Sequence, residues 1–252
     1  MNASALLRMA RAGLVAGALA ILYGCAGPAT ASRTPANPDP LEPVNRVIFR
    51  INDIGDRYVG KPVAQAYEKG TPGFFRTGTS NFLGNLRYPI TIVNDVLQGK
   101  IRQGGQDLAR FALNSTVGLF GLLDPASEVG LAMHDEDFGQ TLAVWGVPQG
   151  PYLVVPIFGP RTLTSGIGDL ADTQFSPLHQ WPGDVATRNA LIILYLVNTR
   201  YSLLPLDEQV QQAFDPYAFV RDAYLQNRLF RIYDGHPPEE DLYPEDDDTQ
   251  AQ

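Results

Sequence analysis

The sequence predicts a mainly α-helical protein, a single compact domain of amphipathic helices with a Gly/Pro-rich connecting hairpin. Three observations predict it. Asp-Pro steps recur at Asp39-Pro40, Asp124-Pro125 and Asp215-Pro216; an aspartate accepts from the free N–H groups of a first turn, and proline fits the first helical position. Runs free of glycine and proline cover 185–204 and 217–232. The segment after Asp39 carries apolar residues at helical spacing. With 252 residues, 44% hydrophobic and 18% charged, the chain is too apolar for a disordered one and long enough to bury a core. A net charge of −8 argues against a basic nucleic-acid surface. The 24 glycines and 20 prolines predict many turns between helices.

The first element is a targeting segment, residues 1–24. Arg8 and Arg11 precede 13 uncharged residues, Ala12 to Gly24. That run is too short for a bilayer core, which needs about 20 residues, and reads as a secretory signal. Leu22-Tyr23-Gly24-Cys25 resembles a bacterial lipobox, so cleavage before Cys25 and acylation of its thiol are expected. Removing residues 1–24 leaves 17 basic against 27 acidic residues and no cysteine beyond Cys25, so no disulfide within the chain. Residues 25–38 are small, polar and Pro-rich, a flexible tether. At the other end, residues 234–252 form an acidic tail: 234–248 hold eight acidic residues and no lysine or arginine. It reads as solvated, with docking to a basic partner as the alternative. The body is 39–233.

Within the body, Asp39 offers a helix cap, although Pro43 removes an N–H from the turn that follows. At 100° per residue, Leu41, Val44, Val47, Ile48, Ile51, Ile54 and Tyr58 share one face, with Arg46, Arg50, Asp53 and Arg57 opposite. Such a helix packs on a core or lies in a membrane interface, and periodicity leaves both open. After Asp184, Ala190 to Val197 is uninterrupted apolar sequence, a buried helix segment or one with a lipid-contacting face. Between them, 138–160 is broken by Gly146, Pro148, Gly150, Pro151, Pro156, Gly159 and Pro160. Gly146 and Gly150 give backbone freedom, and Tyr152, Val154 and Phe158 belong to an apolar run. The segment is a buried connector or a hairpin lining an apolar passage.

Catalytic and metal constellations are weak. His134, His179 and His236 form no pair at metal spacing, so no metal and no cofactor is expected. His134-Asp135-Glu136-Asp137 reads as a solvated loop or helix start. Gly78-Thr79-Ser80-Asn81-Phe82 lacks the closing glycine of a nucleophile elbow. Gly166-Ile167-Gly168-Asp169-Leu170-Ala171 matches a dinucleotide fingerprint without its βαβ context. No catalytic residue is assigned.

Several motifs together resemble the MlaA (VacJ) family of outer-membrane lipoproteins. They are Asp39-Pro40-Leu41-Glu42-Pro43-Val44-Asn45-Arg46, Ser80 to Leu86 (SNFLGNL), Arg110 to Pro125 (RFALNSTVGLFGLLDP), Asp137 to Thr141 (DFGQT), Trp145 to Tyr152 (WGVPQGPY) and Asp215-Pro216-Tyr217. The likeness runs from 39 to 233, with Val44 where many members carry phenylalanine. The resemblance implies a helical, ring-like protein around an amphipathic channel, in the inner leaflet of the outer membrane of Gram-negative bacteria. It implies a trimeric porin and a soluble periplasmic lipid carrier as partners, phospholipids as cargo and no chemical step. The implied role is removal of phospholipids misplaced in the outer leaflet, maintaining lipid asymmetry from the periplasmic face, with a structural lipoprotein that scaffolds a porin complex as the alternative. On that reading Trp145–Pro160 is a mobile wall of the lipid path, with Gly146 and Gly150 as hinges and Tyr152, Val154 and Phe158 as its surface. The chain shows no P-loop, so it is expected to be a passive conduit.

Overall fold

The computed structural model describes residues 39–180 and 183–238. The signal segment, Cys25, the tether to Pro38 and the tail from 239 lie outside the described residues. The chain begins with α1 (Glu42–Gly55), passes through a π turn (Asp56–Gly60) and continues as α2 (Lys61–Gly70). The π turn has a local cause. Pro62 has no N–H to donate, and the preceding Lys61 N–H reaches back five residues to the Asp56 carbonyl. A Cβ at Gly60 would stand 2.4 Å from Asp56 Oδ1, so a larger residue there would displace the Asp56 carboxylate. The Asp56 carboxylate meanwhile pairs with Arg200 at 2.6 and 2.9 Å, linking the turn to a distant helix.

Next come α3 (Gly73–Asn85), α4 (Tyr88–Leu97), α5 (Ile101–Thr116), the short α6 (Pro125–Glu128) and α7 (Phe138–Val144). Strands β1 (Tyr152–Val155) and β2 (Gly159–Thr162) form an antiparallel hairpin, pairing Tyr152 with Thr162 and Val155 with Gly159. Then follow α8 (Leu163–Asp172), α9 (Pro177–Gln180), α10 (Val185–Leu203), a 3-10 turn (Leu204–Leu206), α11 (Asp207–Gln212) and α12 (Pro216–Ile232). Asp124 and Asp215 cap their helices as the sequence predicts, accepting from Ser127 and from Tyr217 with Ala218, and Asp184 caps α10 by accepting from Thr187. Asp39 does not: the helix starts three residues later without a side-chain cap, and the Asp39 carboxylate accepts from Asn45 at 2.8 Å and from the Tyr217 hydroxyl. Pro43 falls in the first turn, where its missing N–H costs nothing.

The predicted mainly helical class holds, and its hairpin is the 152–162 segment. Of the dinucleotide-like glycines, Gly168 serves packing instead. Gly166 and Gly168 lie inside α8, and a Cβ on Gly168 would meet the Gly139 nitrogen of α7 at 2.3 Å. Gly78 to Phe82 likewise lies within α3.

The polarity of the body is inverted. Among the described residues, 22 polar or charged side chains are buried against 11 apolar ones. Soluble folds bury apolar side chains first, so a predominance of buried polar groups is the informative sign. The α1 stripe decides the alternative that periodicity leaves open, because Val44, Val47, Ile51, Ile54 and Tyr58 are between 50% and 76% exposed. The buried side of α1 carries Asn45. Helix α10 repeats the pattern: Ile193 and Leu196 are exposed and Asn198 is its buried residue. A small apolar core lies under the hairpin, where Tyr152, Val154 and Tyr217 pack with Ile48, Phe49, Tyr224 and Leu225. Among the described residues no helix is long and apolar enough to cross a membrane.

Candidate functional site

Helix α5 shows how the interior is built. Gln103, Asp107, Arg110 and Asn114 recur at spacings of four, three and four, one helical face, and the last three are buried. Gly104 lets α4 approach, since a Cβ there would stand 3.1 Å from Asp95 Cβ. Asp95 of α4 and Asp107 of α5 are both fully buried. Asp95 Oδ1 accepts from Gln103 at 2.8 Å, and Asp107 Oδ2 meets His134 Nδ1 at 3.0 Å. The two carboxyls are in hydrogen-bonding reach of each other, and Asp95 Oδ2 and Asp107 Oδ1 have no other partner. Two carboxylate oxygens cannot bond without a proton between them. Burial, reinforced by the Asp107 charge, accordingly pushes Asp95 up to about 7.

The His134-Asp135-Glu136-Asp137 run, expected as a solvated loop or helix start, is half that. Asp137 caps α7, but it and Glu136 are buried hubs. Glu136 accepts from Gln98, Lys100 and Gln103, all near 3.0 Å. Asp137 receives a two-pronged contact from Arg228 at 2.6 and 2.9 Å and another from Arg231 at 3.2 Å. Burial raises the Asp137 carboxyl, and those arginines more than offset it, holding it at about 2. Consecutive side chains point in different directions, and here each direction meets a different buried partner.

Two cavities open onto this interior. The first, about 330 Å³, lies among α3, α4, α5 and residues 133–135, with Ser80, Asn81, Arg87, Asn114 and His134 on its wall. The second, about 400 Å³, shares Asn81 and Asp124 with it but is walled by Phe74, Gly78, Val117, Leu122 and Leu123. The 117–123 turn is strained: Leu119 and Phe120 have φ of +55° and +61°, a region L residues avoid. Gly118 and Gly121 allow it, since a Cβ at either would stand 2.4 Å from Asn114 O or from Asn85 Cβ. Phe120 is left 78% exposed.

The hairpin residues singled out from sequence divide by environment. Gly146 and Gly150 both have positive φ, +91° and +68°. Tyr152 and Val154 are buried in the small core, whereas Phe158, with Ile157, forms the exposed turn. Asn45 and Asn52, two turns apart on α1, bind β1 as a neighbouring strand would. Asn45 donates to Tyr152 O at 3.0 Å and accepts from Val154 N at 2.9 Å; Asn52 does the same with Val155 O and Ile157 N at 3.0 and 2.9 Å. Cys25 lies outside the described residues. Sequence reasoning missed the α4–α5 carboxyls, Arg87 and the 117–123 turn; the polar 4-3-4 spacing on α5 was the available signal.

The geometry provides a polar, internally paired interior and an apolar outside. Residues 37–231 match the family model described as MlaA lipoprotein. The chain belongs to the MlaA lipoprotein family. It is 37% identical over 216 residues to the intermembrane phospholipid transport system lipoprotein MlaA of Escherichia coli K12, covering 83% of this chain and 84% of that one. The protein of the same description from Haemophilus influenzae is 32% identical over 223 residues, 85% and 87% of the two chains. A solved structure reported as "Structural basis for maintenance of bacterial outer membrane lipid asymmetry" superposes with a TM-score of 0.69 at 36% identity, covering 77% of this chain and 98% of the other. The MlaA motifs fall on the parts that build the site: α1 with Asn45, the α3 wall, the α5–α6 turn, the Asp137 cap and the hairpin.

Proposed function

We propose that this chain works in intermembrane phospholipid transport that maintains outer-membrane lipid asymmetry, as a passive conduit and not as an enzyme. The observation that carries this is the inverted polarity. A phospholipid moving between leaflets needs polar surroundings for its headgroup while its tails stay in hydrocarbon. A body with a polar, cavity-bearing interior and an exposed apolar surface supplies both. The charged groups inside are mostly neutralised by one another, as in Arg228 with Asp137 and Lys100 with Glu136, so a headgroup meets polarity without a deep charge trap.

The finer assignments follow from the family likeness. Acylated Cys25 and the tether hold the body at the periplasmic face of the outer membrane, in its inner leaflet, beside a trimeric porin. The cargo is phospholipid misplaced in the outer leaflet, and it passes to a soluble periplasmic carrier. The hairpin is the adjustable wall: Gly146 and Gly150 are its hinges, Phe158 with Ile157 its lipid-facing tip, and Tyr152 and Val154 its footing. Proline cannot adopt the positive φ of either glycine, so alanine is the informative hinge substitution. Reconstitution tests the reading. Full-length protein in vesicles carrying labelled phospholipid should deliver label to a soluble lipid-binding acceptor, and transfer equal to that of protein-free vesicles would overturn it.

A further inference from the structure

Residues 131–137 lead into α7 without regular secondary structure and are strapped to the body by side chains. Arg110 donates to Leu131 O, Arg87 pairs with Asp135 at 3.0 Å, and Lys100 pairs with Glu136 at 3.0 Å. His134 Nδ1 meets Asp107 Oδ2 at 3.0 Å, and one Gln103 nitrogen donates to both Glu136 and Asp95, at 2.9 and 2.8 Å. The strap is thereby fastened to the buried carboxyls Asp95 and Asp107. Its Met133, His134 and Asp135 also wall the first cavity, together with the buried Tyr88.

Beneath the strap one proton is accommodated and a second negative charge is not. Asp95 Oδ2 and Asp107 Oδ1 are buried and receive no donor from the protein. A proton between them satisfies both; without it, two charged oxygens stay dry and repel each other. The surrounding charges offer no remedy. Arg110 is held by Asp124 and Tyr88, Lys100 by Glu136 and Asp234, and Arg87 and Arg231 by Asp135. His134 serves Asp107 Oδ2, not the bare Oδ1. Glu136 is a third acid beside the pair, and Asp172 of α8 a fourth, bonded to the adjacent Asn94. Helices α4 and α5 are poorly placed to part: a Cβ on Gly104 would stand 3.1 Å from Asp95 Cβ, and only residues 98–100 join the two. The strap is the cover that can lift to admit water.

We propose that residues 131–137 are a pH-operated strap, closed over Asp95 and Asp107 while the two carboxyls share a proton and released when that proton is lost. Release carries Met133, His134 and Asp135 away from the first cavity and widens access to the interior. The device goes beyond the transport reading and does not rest on it.

Fast hydroxyl-radical footprinting of the full-length protein in detergent reads the strap through Tyr88, 5% exposed in the closed state. Tyr88 oxidation should rise roughly tenfold from pH 6 to pH 8, tracking the loss of a proton centred at about 7. Leu131 of the strap should rise with it, and Tyr217, buried in the small core, should not change. Asp95→Asn keeps a neutral amide donor against Asp107, so its Tyr88 oxidation should stay at the wild-type pH 6 level throughout. Asp172→Asn, which neutralises the neighbouring acid, should leave the rise in place. A flat wild-type profile overturns the proposal without any variant. So does a rise that persists in folded Asp95→Asn protein, that Asp172→Asn abolishes, or that Tyr217 shares, since each puts the transition elsewhere. Footprinting involves no lipid transfer, so failure of the strap would leave the transport reading standing, and failure of transport would leave the strap.

Discussion

Asp95 and Asp107 are buried carboxyls on two packed helices, and the raised Asp95 carboxyl makes the fold's stability depend on pH. Burial and the neighbouring carboxyl raise Asp95 to about 7, and burial, with the Asp137 and Asp169 charges adding to it, raises Asp172 to about 6. Both bind protons more tightly folded than unfolded. Their contribution is fully present below the unfolded carboxyl range, near 4, and is lost as pH rises through 6 to 7. Asp137 acts in the opposite sense: held at about 2, it contributes above the unfolded range and fails as pH falls toward 2. Thermal melts should show wild-type stability declining between pH 5 and pH 8. Asp95→Asn should flatten that decline by on the order of 1–3 kcal/mol; an equally steep decline in the variant would refute the shared proton. Asn45 supports a second prediction at this scale. Its amide serves Tyr152 O and Val154 N, both inside the small core. Asn45→Ala strands two buried backbone groups and should cost about 2–4 kcal/mol of unfolding free energy in chemical denaturation.

Elements were legible wherever one local rule sufficed. Asp124 and Asp215 at their Asp-Pro steps, and Asp184 before a Gly/Pro-free run, cap helices because a short acid at that position reaches the free first-turn N–H groups whatever else it binds. Asp39 fits the same rule and escapes it, because Asn45 and Tyr217, 178 residues away, compete for its oxygens. The αL pair Leu119-Phe120 depends on the close approach of Gly118 to Asn114 and of Gly121 to Asn85, which a local reading cannot weigh. The α1 stripe was legible as a stripe; its direction was not, since periodicity is blind to which face meets protein. The structure therefore separates two isoleucines that the helical wheel puts together. Ile48 packs on the Tyr152–Val154–Tyr217 cluster, and Ile51 is 60% exposed. In detergent, Ile48→Asp should cost about 2–4 kcal/mol through a charge brought against that core. Ile51→Asp should fall within about 0.5 kcal/mol of wild type and instead weaken vesicle binding. Equal melting shifts for the two would mean that α1 is rotated from the arrangement described.

At the scale of the whole molecule, the inversion of polarity bears on what holds the protein to a membrane. On the proposed anchoring, acyl chains on Cys25 would supply one attachment; a single myristoyl-sized chain gives marginal, reversible binding with a constant of about 10⁴ M⁻¹, and several together a stable one. The body offers another. Full burial of a large apolar side chain is worth about 1.5–3 kcal/mol, and Val44, Val47, Ile51 and Ile54 on α1, with Tyr58 in the π turn, each present half or more of that surface to solvent. Their summed transfer into hydrocarbon matches or exceeds one acyl chain before the 117–123 turn and the hairpin tip are counted. A chain starting at residue 25 with Cys25→Ser, diluted from detergent into phospholipid vesicles, should therefore still co-sediment with them. Adding Val47→Asn and Ile51→Asn to that unacylated chain should lower the partition coefficient roughly 10-fold or more, each side chain giving up part of its transfer energy. The same two changes in acylated protein should leave it bound, because the anchor then suffices. If the unacylated chain stayed in the supernatant with a native melting transition, the exposed apolar surface would have to be covered by protein instead of lipid, and membrane attachment would belong to Cys25 alone.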